Sequence, residues 1–297
     1  MLSYTHRPHR LLQIRVHGGH ITRSQTMTTT SSSPINLIKR SAIAIATATA
    51  CMGASAALLP PFTFNPAAAS LMGTSFSADN ILISDYSTVN FDGVGGFTDT
   101  GFLSVTAFQN TGTTLLPTGL NSTYGMYFAF TGNGTTTVGN PSTVQTSGAF
   151  TTLNYTLYGY NGGPATFGFD ASNNPTENAS GEVVLGTGSL LNGTVSTTPT
   201  SDGSMQFTPS ASAKLSFAVA TGMEGFFASP NPFYDISFAA FTNTTSQVTA
   251  FQGGFRIEQG GGAVNFAMTP AVPEPETYAL MLAGLAAVGF IARRRRS

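Results

Sequence analysis

Leu153-Asn154-Tyr155-Thr156-Leu157, followed four residues later by Asn161-Gly162-Gly163, decides the fold class. Apolar and polar side chains alternate with a period of two, so a strand would put Leu153, Tyr155 and Leu157 on one face and leave Asn154 and Thr156 wet. The Asn-Gly-Gly that follows supplies the backbone freedom a chain reversal needs. The same reading extends in both directions. Leu103, Val105 and Ala107 alternate with Ser104 and Thr106, and Met126, Phe128 and Phe130 share a face. So do Leu215, Phe217 and Val219, then Tyr234, Ile236 and Phe238, then Val264, Phe266 and Met268. Turn signals lie between these runs: Asp92-Gly93, Gly132-Asn133-Gly134, Asn192-Gly193, Asp202-Gly203 and Gly260-Gly261-Gly262. No stretch between 57 and 270 sustains a 3.6 period. The pattern predicts an all-β body of half-buried antiparallel strands, an antiparallel β-sandwich or a jelly-roll-like barrel, with the strand order left open. Phenylalanine, 23 in the chain, is its main filler. Phe226-Phe227 and Phe233-Tyr234 flank Pro230 and Pro232 and read as core packing around a Pro-rich corner rather than as a platform for sugars.

Composition removes several functions. Charged residues make up 8% of the chain, against about 25% in average soluble domains. Between 57 and 272 only Lys214 and Arg256 are basic, while eleven of the 13 acidic residues fall there, the others being Glu274 and Glu276. Such a body cannot neutralise a row of phosphates, so nucleic acid is excluded as a partner. All four histidines (His6, His9, His17 and His20) precede residue 21, and the single cysteine is Cys51. The body therefore has no His-based triad, no Cys nucleophile, no Cys/His zinc site and no disulfide.

The two ends read as addresses. Residues 1–26 are basic and lack hydrophobic period, which suggests an over-extended, disordered start ahead of Met27. Residues 27–56 carry Lys39-Arg40, then the apolar run from Ser41 to Ala50, then Ala54-Ser55-Ala56. A charged region, a short apolar helix and a small-x-small site in that order form a signal peptide, with cleavage expected between Ala56 and Ala57. Ala67-Ala68-Ala69 lies too far downstream, beyond Pro60-Pro61. A lipidated Cys51 fits poorly, because Ala48 stands where a larger aliphatic is usual. Residues 57–270 would then be one extracellular β-rich domain, and 271–297 a tail. The tail runs Pro273-Glu274-Pro275, an apolar stretch from Ala279 to Ala292, then Arg293, Arg294, Arg295 and Arg296. The stretch is shorter than the ~20 residues of a spanning helix. The arginines would hold its end in the cytoplasm, and the prolines keep the junction extended and accessible.

Pro-Glu-Pro, a short hydrophobic helix and a terminal arginine cluster resemble the PEP-CTERM sorting tail of Gram-negative bacteria. The resemblance implies transient insertion in the inner membrane through the C-terminal helix, recognition by an exosortase after passage through the secretion translocon, and removal of the tail during export.

Paired carboxylates could act on a glycoside without histidine. Asp79, Asp85, Asp92 and Asp99 recur every six or seven residues, and Asp170, Glu177 and Glu182 gather later. A glycosidase needs two such groups, but most of these sit beside Gly, Asn or Ser, where Asp serves local turns. No catalytic residue is assigned. No cofactor and no metal ligand is assigned either: Asp92-Gly93-Val94-Gly95-Gly96-Phe97-Thr98-Asp99 is glycine- and oxygen-rich as a Ca2+ loop would be, but it is no EF-hand. Asn-x-Ser/Thr triplets begin at Asn121, Asn133, Asn154, Asn178, Asn192 and Asn243, as expected by chance in so Asn- and Thr-rich a chain.

A second resemblance covers most of the body. Leu58-Leu59-Pro60-Pro61-Phe62-Thr63-Phe64-Asn65-Pro66, Thr74-Ser75-Phe76-Ser77-Ala78-Asp79-Asn80-Ile81, Tyr124-Gly125-Met126-Tyr127-Phe128-Ala129-Phe130 and Asn231-Pro232-Phe233-Tyr234-Asp235-Ile236 are similar to flocculation-associated PEP-CTERM proteins of floc-forming bacteria. That likeness implies a non-enzymatic structural or adhesive protein of the cell surface or extracellular matrix. It would act with exopolysaccharide or other matrix components in flocculation or biofilm formation. A secreted carbohydrate-binding module is the alternative, and a carboxylate glycosidase the third reading.

Overall fold

Eight long strands carry the alternation and close on themselves. In the computed structural model, which describes residues 59–269 apart from 116 and 203, these are β1 (Asn80–Phe91), β2 (Gly96–Asn110), β3 (Tyr124–Thr136), β4 (Thr146–Asn161), β5 (Val183–Pro199), β6 (Phe207–Ser216), β7 (Ile236–Thr242) and β8 (Gly254–Ala267). Each pairs antiparallel with the next in sequence, and β8 returns to pair with β1 from Gly254↔Asn90 to Val264↔Ile81. The antiparallel all-β body expected from the alternation is therefore present. Its form is one sheet rolled into an up-and-down barrel, with every connection between neighbours and no crossed key. The expected signal segment, its cleavage point and the C-terminal tail lie outside the described residues. Among the described residues no helix is long and apolar enough to cross a membrane.

Closing a sheet needs local extra twist, which bulges provide. Register shifts interrupt β1–β2 at Leu82/Ile83, β3–β4 at Asn133/Gly134, β4–β5 at Val184/Gly186, β5–β6 at Leu190/Asn192 and β8–β1 at Glu258/Gly260. The bulges also correct the simple alternation. Val105 is buried, but the shift against β1 turns Ala107 aside and brings Phe108, 1% exposed, into the core instead. On β7 the inward residues are Ser237, Ala239 and Phe241, so Phe238 stands on the outer wall with the Lys214 ammonium 5.9 Å from its ring. Met268 lies past the end of β8 and is exposed.

One end of the barrel is plugged. Phe62–Phe64 pairs with Phe76–Ala78 on one side and Phe227–Ser229 on the other, making a three-stranded sheet. Its rings meet Phe108 and Phe266, which sit at the ends of β2 and β8, and Phe217, which follows β6. Phe226, Phe227 and Tyr234 are buried in this cluster, and the Tyr234 hydroxyl donates to the Pro61 carbonyl at 2.8 Å. The aromatic pairs around Pro230 and Pro232 are core packing. On the outer wall a second hairpin, Phe167–Phe169 with Pro175–Glu177, lays Phe167 against Tyr86, Phe102 and Tyr127.

Candidate functional site

The half of the barrel away from the plug is not filled. It holds a cavity of about 100 Å³ to which all eight strands contribute. Leu103, Phe128, Leu153, Ala213, Ile257 and Val264 form much of its apolar wall. Eight-stranded barrels have interiors just wide enough to be packed or to hold one small ligand. Here small residues set the balance. Ala211, Ala213 and Ala239 face inward from β6 and β7, and a Cβ on Gly134 would strike the Phe97 ring.

Two carboxyl groups face this apolar space. Asp85 is 5% exposed, and its Oδ1 has no hydrogen-bond partner among the described residues. Burial pushes its pKa up to about 7, against a smaller opposing pull from the Ser87 hydroxyl. Asp99 keeps part of its surface accessible where it lines the cavity, but its Oδ1 is enclosed and equally unpartnered. Burial first, and the charge of Asp85 second, hold the Asp99 carboxyl well above the ordinary range. Asn243, 3% exposed, adds a third unpartnered oxygen, Oδ1, to the same lining. Gly260 lets these groups approach: a Cβ there would collide with Asn243 Oδ1 and sit 3.0 Å from Asp85 Cβ. Ser87 Oγ, on the same face of β1 as Asp85, is also buried without a partner, whereas the other polar groups of the lining have partners. Tyr155 donates through its hydroxyl to the Ser216 carbonyl at 3.0 Å and lies 3.0 Å from Ser237 Oγ, while the Thr146 and Thr197 hydroxyls pair at 2.7 Å. The two cations of the described residues are elsewhere. Lys214 covers Phe238, and Arg256 reaches the outer hairpin, donating to Asn173 Oδ1 at 3.2 Å with its guanidinium 5.1 Å from the Phe169 ring.

The acidic residues singled out in the sequence thus separate into two kinds. Asp79 accepts from the Thr111 amide at 2.6 Å and holds a turn. Asp92 accepts from the Val94 and Gly96 amides, both at 2.8 Å, and these bonds, Val94's first, lower its pKa. The glycine-rich loop therefore does not bring its two carboxylates together: Asp92 is folded into its own turn and Asp99 is inside the barrel. Asp170 caps the outer hairpin, accepting from the Ser172 and Asn174 amides at 2.8 Å. Glu177 accepts from the Ala179 amide at 2.5 Å, and Glu182 is exposed. Among the described residues no three His, Cys, Asp or Glu side chains gather as metal ligands would. The pairing of Asp85 with Asp99 is the feature sequence reasoning missed. Its signal was parity: Ile81, Ile83, Asp85, Ser87 and Val89 share one face of β1, so an Asp stands in an apolar row.

The outer wall carries a second concavity, a groove of about 520 Å³ between β2–β4 and the hairpin that packs on them. Thr100, Thr131, Asn154 and Thr156 line it with hydroxyl and amide groups, Phe102 adds an aromatic wall, and Asn174 closes one side. Thr131, Asn154 and Asn174 are exposed.

The sorting residues (Pro273, Glu274, Pro275 and Arg293 to Arg296) and the cleavage pair Ala56 and Ala57 lie outside the described residues. Residues 271–296 match the family model described as the PEP-CTERM protein-sorting motif. No curated protein and no solved structure matches the chain. The chain thus carries the sorting motif of an exported protein, directed to the cell surface and processed by an exosortase during export.

Proposed function

We propose that this exosortase-sorted chain is a non-enzymatic structural or adhesive component of the extracellular matrix, acting with exopolysaccharide in flocculation or biofilm formation. The sorting motif at residues 271–296 carries the reading, because it takes the barrel out of the cell toward that surface. The outer groove supports it further. Its hydroxyl, amide and aromatic lining offers a neutral sugar chain hydrogen bonds and a stacking face without charge. A glycosidase is disfavoured by the setting of its carboxyl pair. Asp85 and Asp99 line a space of about 100 Å³, smaller than the about 150 Å³ that holds benzene, whereas a glycosidic bond must be flanked by sugar rings on both sides.

The test is a deletion strain complemented with wild-type protein or with Asn154→Ala/Thr131→Val. Deletion should abolish aggregation while polysaccharide yield stays normal, and the groove variant should restore export but not aggregation. Full aggregation without the protein would refute the matrix role. Glycan binding by the purified protein with no aggregation defect would instead favour the secreted carbohydrate-binding module. Released reducing sugars would show an enzyme.

A further inference from the structure

We propose that the barrel interior is a binding site for a small organic ammonium ion, a primary amine on a short aliphatic body. Three observations converge on this class of ligand. The first is uncompensated polarity. Asp85 and Asn243 are both more than nine-tenths buried, both line the cavity, and each has an Oδ1 with no partner among the described residues. Asp99 Oδ1 is a third such acceptor on the same lining. Unpaired buried oxygens are costly, and native proteins rarely keep them without use. A protonated primary amine has three N–H donors and no acceptor, so it can donate to each of these unpartnered oxygens.

The second is charge. Lys214 and Arg256, the cations of the described residues, are engaged on the outer wall. Among the groups facing the cavity, the ionisable ones are Asp85 on β1, Asp99 on β2 and the Tyr155 phenol on β4. The lining residues from β3 and β5 to β8 are uncharged. Burial raises the Tyr155 phenol, which keeps it neutral. A cationic guest would supply the missing countercharge.

The third is shape. Beyond the carboxyl groups the wall is aliphatic and aromatic, and the space is about 100 Å³. An apolar cavity of about 150 Å³ holds benzene, so this one suits an aliphatic body of about four carbons. A bare metal ion fits less well. Ca2+ takes six to eight oxygens, and among the described residues no three carboxylate, His or Cys side chains gather as its ligands would. Asp85 and Asn243 adjoin across Gly260, and Asp99 lies on the neighbouring strand beyond the Ser87↔Gly101 pair, where the Ser87 side chain fills the space the glycine leaves. The ammonium would sit by Asp85 and Asn243, with Asp99 as a further oxygen acceptor on the next strand.

The probes are n-butylamine and butan-1-ol, titrated calorimetrically into the full-length protein at pH 8 and pH 5.5, with Asp85→Asn and Asp99→Asn alongside. The two probes share their chain and differ in charge. At pH 8 butylammonium should bind at least about tenfold more tightly than butanol. That preference should shrink at pH 5.5, where Asp85 is protonated, and vanish in Asp85→Asn. Thermal denaturation by circular dichroism establishes that each variant is folded. Ala213→Leu, which fills the apolar side, should weaken both probes together. Equal affinity for the two probes, a preference that survives in folded Asp85→Asn, or no saturable binding of butylamine would each overturn the assignment.

Discussion

The two halves of the barrel are built from the same eight strands and packed in opposite ways. At the plugged end Phe64 is fully buried, with the rings of Phe62, Phe76, Phe108, Phe226, Phe227, Phe233 and Phe266 all within 6.3 Å of its own. At the other end alanines, hydroxyls and two aspartates share the inward positions with Phe97, Phe128, Phe150 and Phe255, and a void remains. The first arrangement maximises buried apolar contact in a body that has no disulfide. The second gives up contact and desolvates carboxyl groups, which lowers stability and is the usual mark of a site. The largest expected effect tests this division. Phe64→Ala should cost about 3–5 kcal/mol, because its removal opens a cavity among rings that cannot collapse inward. Leu153→Ala, at the edge of the existing void, should cost about 2 kcal/mol, since fewer neighbours lose contact. Equilibrium urea unfolding measures both, and equal losses would erase the distinction between the halves.

The sequence showed the apolar rows of the barrel far better than the polar groups and the void among them. Alternation in Met126/Phe128/Phe130 and Leu153/Tyr155/Leu157 marks apolar faces directly, and these residues do point inward. Period-two reasoning fails where a bulge changes parity, as between Val105 and Phe108. It also fails where the interior is not apolar. On β7 the inward row is Ser237, Ala239 and Phe241, and the larger hydrophobe Phe238 lies outside, so hydrophobicity chose the wrong face. The carboxyl pair escaped for a related reason. Asp79, Asp85, Asp92 and Asp99 look alike in the sequence, yet Asp79 and Asp92 bond to nearby amides and the other two project inward. Strand closure, which brings β8 beside β1 and Asn243 near Asp85, is a long-range event with no local signature.

The next effect is a pH dependence that the two kinds of carboxylate give with opposite sign. Asp85 has a folded pKa of about 7 against an ordinary 3.8. The folded protein therefore holds a proton that the unfolded chain has released, and stability falls as pH climbs from about 4 through 7. The slope is up to about 1.4 kcal/mol per pH unit. Asp99 adds a contribution of the same sign. The exposed turn carboxylates Asp92, Asp170 and Asp202 have lowered values, so their contribution is present above the ordinary carboxylate range and lost only as acid protonates them in the fold. Asp85→Asn should flatten the slope between pH 4 and 7 and leave the protein more stable than wild type at pH 8. Thermal midpoints across that range decide it. An unchanged slope would mean that the Asp85 carboxyl is not desolvated in the folded protein.

The smallest effect separates polar groups that are satisfied from those that are not. Thr146 and Thr197 line the same void as Asp85, are similarly buried, and differ in having each other, hydroxyl to hydroxyl at 2.7 Å. Replacing Thr146 alone by Val leaves the Thr197 oxygen buried without a partner and should cost about 1–3 kcal/mol. Replacing both removes donor and acceptor together and puts two methyl groups where the hydroxyls met. The double variant should then lie within about 0.5 kcal/mol of wild type, a non-additivity that a double-mutant cycle in urea reads directly. Asp85 Oδ1 and Asn243 Oδ1 have no such partner among the described residues, so a bound ligand should satisfy them where a paired substitution should not. If the Thr146→Val/Thr197→Val protein instead loses the sum of the two single costs, both hydroxyls have partners beyond each other. The cavity wall would then be polar where the structure makes it self-satisfied, and an unpartnered oxygen on it would no longer single out a binding site.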